Sequence, residues 1–167
     1  MDLRRFIRDV PDFPRPGIVF KDITPLLQHP KALDVAVQKM KQPWMDVALV
    51  AGIEARGFIF GSLLARALNV GFVPIRKAGK LPLPAAAVRY ALEYGTGALE
   101  LHRDAIAPGQ RVLIVDDLLA TGGTAAAAGE LVKRAGGTVA GFSFLIELRA
   151  LAGRKKLRGQ IESVLVY

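Results

Sequence analysis

Short runs rich in Val and Ile alternate along this chain with segments of helical character, and that alternation limits the fold more than any other feature. The runs are DVALVAG (46–52), VGFVPIR (70–76), RVLIVDD (111–117), TVAGFSFLIEL (138–148) and IESVLVY (161–167). Their apolar residues are consecutive, as in strands buried on both faces. Between and before them, 30–42, 57–68 and 123–136 read as helices. The last pairs Glu130 with Arg134 one turn on and closes at Gly136-Gly137, a helix stop. Such alternation predicts an α/β fold, a parallel sheet with helices on both faces, and in such sheets ligands bind beyond the carboxyl ends of the strands. A chain of 167 residues, 51% hydrophobic, is expected to form one domain with a sizeable core rather than a disordered tail.

Several function classes drop out. There is no cysteine, which excludes disulfides, thiolate metal sites and a cysteine nucleophile. His29 and His102 lack ligand spacing, so no metal cage of protein groups is expected. The opening residues MDLRRFIRDVPDFP hold no apolar core of signal-peptide length, and a cytoplasmic setting is expected. Residues 57–75 are apolar enough to suggest a membrane span, but Arg66 and Asn69 interrupt them and Gly71 and Pro74 break them. A buried helix followed by a buried strand is expected there, and no membrane partner. The net charge of +8 suits a basic surface, a nucleic-acid partner or a small, highly anionic substrate. The one basic cluster, Arg154, Lys155, Lys156 and Arg158, has no interleaved aromatic residues for base stacking. It reads as a solvated helix face, and no nucleic acid is expected.

The sharpest signal lies in VLIVDDLLATGGT, residues 112–124. Val112 to Val115 make a central strand, and Asp116 and Asp117 fall at its carboxyl end. Successive strand residues point to opposite sides, so one acid can face a ligand while the other faces a backbone amide or a second ligand group. Ala120, Thr121, Gly122, Gly123 and Thr124 then open a helix. The glycines let backbone N–H groups approach an anion, two threonines add hydroxyls, and the helix start adds a positive dipole end. Acids for sugar hydroxyls beside a cradle for phosphate describe a ribose 5-phosphate site. Neither a Walker loop nor a dinucleotide fingerprint is present.

This stretch resembles the PRPP-binding motif of the type I phosphoribosyltransferases, PRPP being 5-phosphoribosyl 1-pyrophosphate. Three further stretches, 12–27, 50–61 with 71–82, and 90–113, narrow the resemblance to the adenine-specific branch of that family and extend it over nearly the whole chain. The resemblance implies the type I fold over 1–167, a central, mostly parallel twisted sheet flanked by helices. A small N-terminal hood (1–29) would cap the adenine side, and a flexible catalytic lid would lie in 77–101. It implies a magnesium-dependent reaction of adenine with PRPP to give AMP and pyrophosphate, in a homodimer.

Residue by residue, the resemblance gives Asp116 and Asp117 to the ribose hydroxyls and residues 120–124 to the 5′-phosphate. Arg56, in GIEARG, is a pyrophosphate ligand, the alternative being an ion pair with Glu54. The peptide between Glu54 and Ala55 is often cis in the family. Lys77 and Lys80 complete the pyrophosphate clamp, ahead of Arg76. Glu93 is the candidate acid/base near the attacking ring nitrogen, and Tyr94 helps to close the site. Phe20 stacks on the purine, Val19 reads its edge through the backbone, and Lys21 stands where other members carry Arg. Magnesium would be held mainly by substrate oxygens and water. Two readings stay open at this level: another base in place of adenine, and a PRPP sensor that binds nucleic acid.

Overall fold

The computed structural model describes all residues except 83–84 and 92–95. The chain divides into two compact units, Met1–Lys39 and Met40–Tyr167.

The first unit is built on a short antiparallel ribbon. A 3-10 turn, Leu3–Phe6, is capped by Asp2, whose carboxylate accepts from the Arg4 N–H at 3.0 Å. Strand β1 (Arg8–Pro11) pairs antiparallel with β2 (Val19–Asp22), setting Asp9 opposite Lys21 and Val10 opposite Phe20. The connection carries a cis Phe13-Pro14 peptide, and the Asp12 carboxylate accepts from the Gly17 N–H at 2.7 Å, which closes the turn. Helix α1 (Thr24–Gln28) starts with Pro in its first turn, and Asp22 accepts from the Thr24 N–H at 2.8 Å.

Helix α2 (Pro30–Lys41) comes next in the chain. The second unit is a seven-stranded sheet of β3 (Leu49–Ile53), β4 (Gly71–Lys77), β5 (Ala85–Ala91), β6 (Thr96–His102), β7 (Arg111–Leu119), β8 (Thr138–Glu147) and β9 (Gln160–Val166). Their order is β5-β6-β4-β3-β7-β8-β9. The five strands from β4 to β9 in that order run parallel, and β5 and β6 form an antiparallel hairpin on the β4 edge. Every residue of β3 is buried, and so is most of β7 and β8. That accounts for their unbroken apolar runs.

Alternation sorts the side chains between two faces. Ala51, Ile53, Val112, Ile114, Phe142 and Phe144 gather with Ala125, Ala128, Leu131 and Val132 of helix α4 (Gly123–Arg134) in one core cluster. The alternate residues Val50, Leu113, Val115 and Leu145 are buried outside that cluster. Helix α3 (Gly57–Leu68) packs on β3, β4 and β7 and buries Phe60 and Leu64 completely. It ends at Asn69, a left-handed cap whose N–H bonds back to Ala65 and Arg66.

Two sequence expectations change here. The 77–101 stretch, read as a long loop with a weak strand pattern, supplies β5 and most of β6. Pairing across the hairpin compensates for its weak local propensity. The 154–158 cluster is not on an α-helix; Gly153–Lys156 is a 3-10 turn. No described helix is long and apolar enough to cross a membrane.

Candidate active site

The parallel register places the carboxyl ends of β3, β4 and β7 side by side, with Ile53 opposite Ile75 and Gly52 opposite Val115. The segments that leave these three strand ends form the site. After β7, Gly122 takes φ +78° and caps α4, a conformation that suits a residue without a Cβ. The Ala126 N–H closes the first helical turn on the Gly122 carbonyl at 2.9 Å. Asp116 and residues 118–125 line an open cleft of about 330 Å³. The predicted phosphate residues Ala120, Thr121, Gly122, Gly123 and Thr124 therefore stand together at a helix start that extends for twelve residues.

The paired acids part as the strand pleat requires. Asp116 lines the cleft, and its Oδ1 accepts the Asp117 N–H at 2.8 Å. Asp117 is only 4% exposed, and its Oδ2 lies 2.8 Å from Arg56 Nε. Burial pushes the Asp116 carboxyl well above the usual carboxylate range, and the neighbouring Asp117 charge pushes it further. Burial also raises Asp117, against the opposing pull of Arg56. Arg56 thus pairs with Asp117, where the sequence offered Glu54 as its structural partner. The chain continues into α3 immediately after Arg56, and the helix start carries the guanidinium toward β7.

Glu54 has a different set of partners. Its Oε1 accepts from Lys80 Nζ at 2.5 Å, its Oε2 accepts from the Lys77 backbone N–H at 3.0 Å, and Arg76 Nε lies 3.4 Å from Oε2. The Lys80 hydrogen bond is the chief reason that the Glu54 carboxyl sits below its usual range. Arg76 on β4 and Lys80 just beyond it are gathered by one carboxylate that directly follows β3. That role was invisible in the sequence, since Glu54 and Lys80 are 26 residues apart and only the β3–β4 pairing joins them. The peptide between Glu54 and Ala55 is cis.

Within the first unit, Val19 is 47% exposed, and Phe20 meets the Phe13 ring edge-on at 5.2 Å between centroids. Lys21 Nζ pairs with Asp9 Oδ1 at 2.7 Å. Glu93 and Tyr94 lie outside the described residues. Among the described residues no group of three or more His, Asp or Glu side chains could hold a metal ion.

A family model of the phosphoribosyl transferase domain matches residues 23–164. The adenine phosphoribosyltransferase of Thermobifida fusca (strain YX) is 59% identical over 155 residues, 92% of this chain and 88% of that protein. The chain belongs to the adenine phosphoribosyltransferase family. Its sheet and helices follow the type I phosphoribosyltransferase fold. The crystal structure of the family member from Rhodothermus marinus DSM 4252 superposes with a TM-score of 0.94 at 54% identity, covering 99% of this chain and 96% of that one. The Saccharomyces cerevisiae member, solved with D-2,5-dideoxy-2,5-imino-altritol 1,6-bisphosphate and adenine, gives a TM-score of 0.94 at 41% identity over 98% of this chain and 96% of its own.

One close approach in this family member yields a prediction. A Cβ on Gly57 would lie 2.8 Å from the Val115 carbonyl oxygen and 2.9 Å from Asp116 Oδ1. Because the first of these is backbone of a central strand, it cannot swing aside. Gly57→Ala is expected to lose about 1–3 kcal/mol of stability by overpacking. It should also weaken ribose 5-phosphate binding by displacing Asp116. Denaturant unfolding and calorimetric titration check the two effects, and wild-type values in both would refute them.

Proposed function

We propose that this chain is a purine salvage transferase that moves the 5-phosphoribosyl group from PRPP to adenine, releasing AMP and pyrophosphate. Family membership supports the reaction. The observation that carries the site is the cleft in which Asp116 stands beside the 120–124 helix start.

In this reading the backbone N–H groups and hydroxyls of residues 120–124 hold the 5′-phosphate, and Asp116 and Asp117 accept hydrogen bonds from the ribose hydroxyls. Pyrophosphate leaves the anomeric carbon with the C–O bonding electrons as an adenine nitrogen bonds to that carbon, through a transition state resembling a ribosyl cation, so the protein's task is placement and charge. Arg56, Lys77 and Lys80 bind the departing diphosphate. Asp117 holds Arg56 and Glu54 holds Lys80 near the strand ends before the anion arrives. Val19, Phe20 and Lys21 contact adenine, Phe20 by stacking. By family resemblance Glu93 manages the adenine proton and Tyr94 closes the site, within a lid spanning 77–101 and under a hood of residues 1–29, all parts of one phosphoribosyltransferase domain. Magnesium fits a chain that offers a carboxylate pair and, among the described residues, no metal cage, because that ion keeps several waters and substrate oxygens as ligands. Bound, it would neutralise charge on the diphosphate. A homodimer in the cytoplasm completes the reading, on the strength of the family alone.

The test offers adenine, hypoxanthine, guanine, xanthine and orotate separately with PRPP and magnesium. AMP and pyrophosphate are expected from adenine alone, and a chelator is expected to stop the reaction. A different preferred base would keep the PRPP site and overturn the assignments of Val19, Phe20 and Lys21. PRPP binding without product from any base would overturn the transferase reading.

A further inference from the structure

The 120–124 loop leans on a segment that contributes nothing to its cleft. A Cβ on Gly122 would overlap the Gly153 carbonyl oxygen, and a Cβ on Gly153 would overlap the Ala120 carbonyl oxygen and lie 3.0 Å from the Gly122 nitrogen. The two backbones touch with no side chain between them. Gly153 is itself buried, while the cleft is lined by Asp116 and residues 118–125 only.

Arg154 ties this turn to the sheet. Its Nε donates to Glu147 Oε1 at 2.7 Å, its Nη1 to the Ile161 carbonyl at 2.9 Å, and its Nη2 to Ser163 Oγ at 3.4 Å. Glu147 ends β8 and is 4% exposed, so the pair is anchored in the body of the fold. The root of the segment is tied as well: the Leu148 N–H donates to the Leu119 carbonyl at 2.9 Å, and the Arg149 N–H to the Tyr167 carbonyl at 2.8 Å. The loop that meets the phosphate is thus wedged between its own strand and a turn clasped to β8 and β9.

We propose that Gly153 is a positioning residue for the 5′-phosphate loop. Its missing side chain lets the turn support the Ala120–Gly122 backbone at the height where the loop N–H groups meet a phosphate, and the Arg154 clasp holds the turn there. The inference rests on reading residues 120–124 as that phosphate cradle. Donor geometry explains the sensitivity: N–H to oxygen bonds work near 2.9 Å and weaken quickly when misplaced.

The experiment titrates wild type, Gly153→Ala, Arg154→Lys and Lys155→Ala with ribose 5-phosphate and, separately, with magnesium pyrophosphate, alongside steady-state kinetics and thermal unfolding. Gly153→Ala is expected to weaken ribose 5-phosphate binding and raise KM for PRPP by roughly 10-fold or more, since sub-ångström misplacement carries effects of that order. Pyrophosphate affinity and KM for adenine should stay at wild-type values. Arg154→Lys keeps the charge but loses the fork, and should show the same split at smaller size; it carries the comparison if Gly153→Ala does not fold. Lys155→Ala, exposed on the same turn, should match wild type. Unchanged ribose 5-phosphate binding in Gly153→Ala, or equal loss of both ligands, would overturn the inference while leaving the cradle in place. Failure of the wild type to bind ribose 5-phosphate would remove the cradle and the inference together.

Discussion

Asp116→Asn is expected to lower kcat/KM by about 10–150-fold and, at neutral pH, to raise the melting temperature of the free protein. The loss comes from a hydrogen bond between a carboxylate and the ribose, worth about 1.5–3 kcal/mol, with each 1.36 kcal/mol counting tenfold. The gain comes from the site's electrostatics. Asp116 is desolvated beside a second acid, and its carboxyl is held well above the ordinary value of 3.8. An acid whose folded pKa exceeds its unfolded one favours folding fully below the unfolded value, and loses that contribution as pH rises through the folded value. At neutral pH the raised carboxyl therefore weighs against the fold, and asparagine, which does not titrate, removes the burden. Glu54 and Glu147 are shifted downward and lose stability in acid, but they do so equally in both proteins. The stability gap between variant and wild type should thus be widest at neutral pH and close toward the carboxylate range. Thermal melts over a pH series, with initial rates, measure both effects. A gap that widens in acid would refute the electrostatic account, and undiminished turnover would remove Asp116 from the ribose site.

Phe144→Ala is expected to cost about 3–5 kcal/mol of stability, the usual range for emptying a phenylalanine site in a tight core. The side chain is fully buried on β8, in the cluster that α4 covers, and its backbone pairs with that of Asp116. Both neighbours are regular elements locked by their own hydrogen bonds, so the cavity has little freedom to collapse. The melting temperature should fall by on the order of 10 °C, taking roughly 2–4 °C per kcal/mol for a chain of this size. Leu151→Ala provides the contrast. That side chain is 47% exposed on a surface turn, and its loss should stay within about 0.5 kcal/mol. Denaturant curves with unchanged slopes would check both values, and similar midpoints for the two variants would contradict the assignment of the core.

Much of the fold was legible because its signals are local. The runs that became β3, β4, β7, β8 and β9 are mostly apolar rather than strictly alternating, as suits strands between two helical layers, and their ends fall within three residues of the observed ones. Helices α3 and α4 begin at the predicted residues, each with a glycine as its first residue. The loop proposed to hold the phosphate was legible as a local structure for the same reason: strand end, acids, glycines and helix start are contiguous in the chain. Strands β5 and β6 were not. Their sequences carry weak propensity, and their state depends on a partner strand.

By itself, then, the sequence determined the alternating layers, the central strand that bears Asp116 and Asp117, and the glycine-rich start of α4 proposed as an anion cradle, because each depends on residues within one or two turns of each other. The tertiary structure alone decided which charge meets which. Arg56 turned to Asp117 rather than Glu54, Glu54 collected Lys80 and the Lys77 amide, and Arg154, still exposed, clasped Glu147. The first two pairings join segments that leave strands neighbouring in the sheet but distant in the chain, the third spans a short surface turn, and charge strength falls off through space with no regard for sequence separation. The contact of Gly153 with the phosphate loop belongs to the same class. It depends on the absence of an atom at a place that only the packed backbone defines.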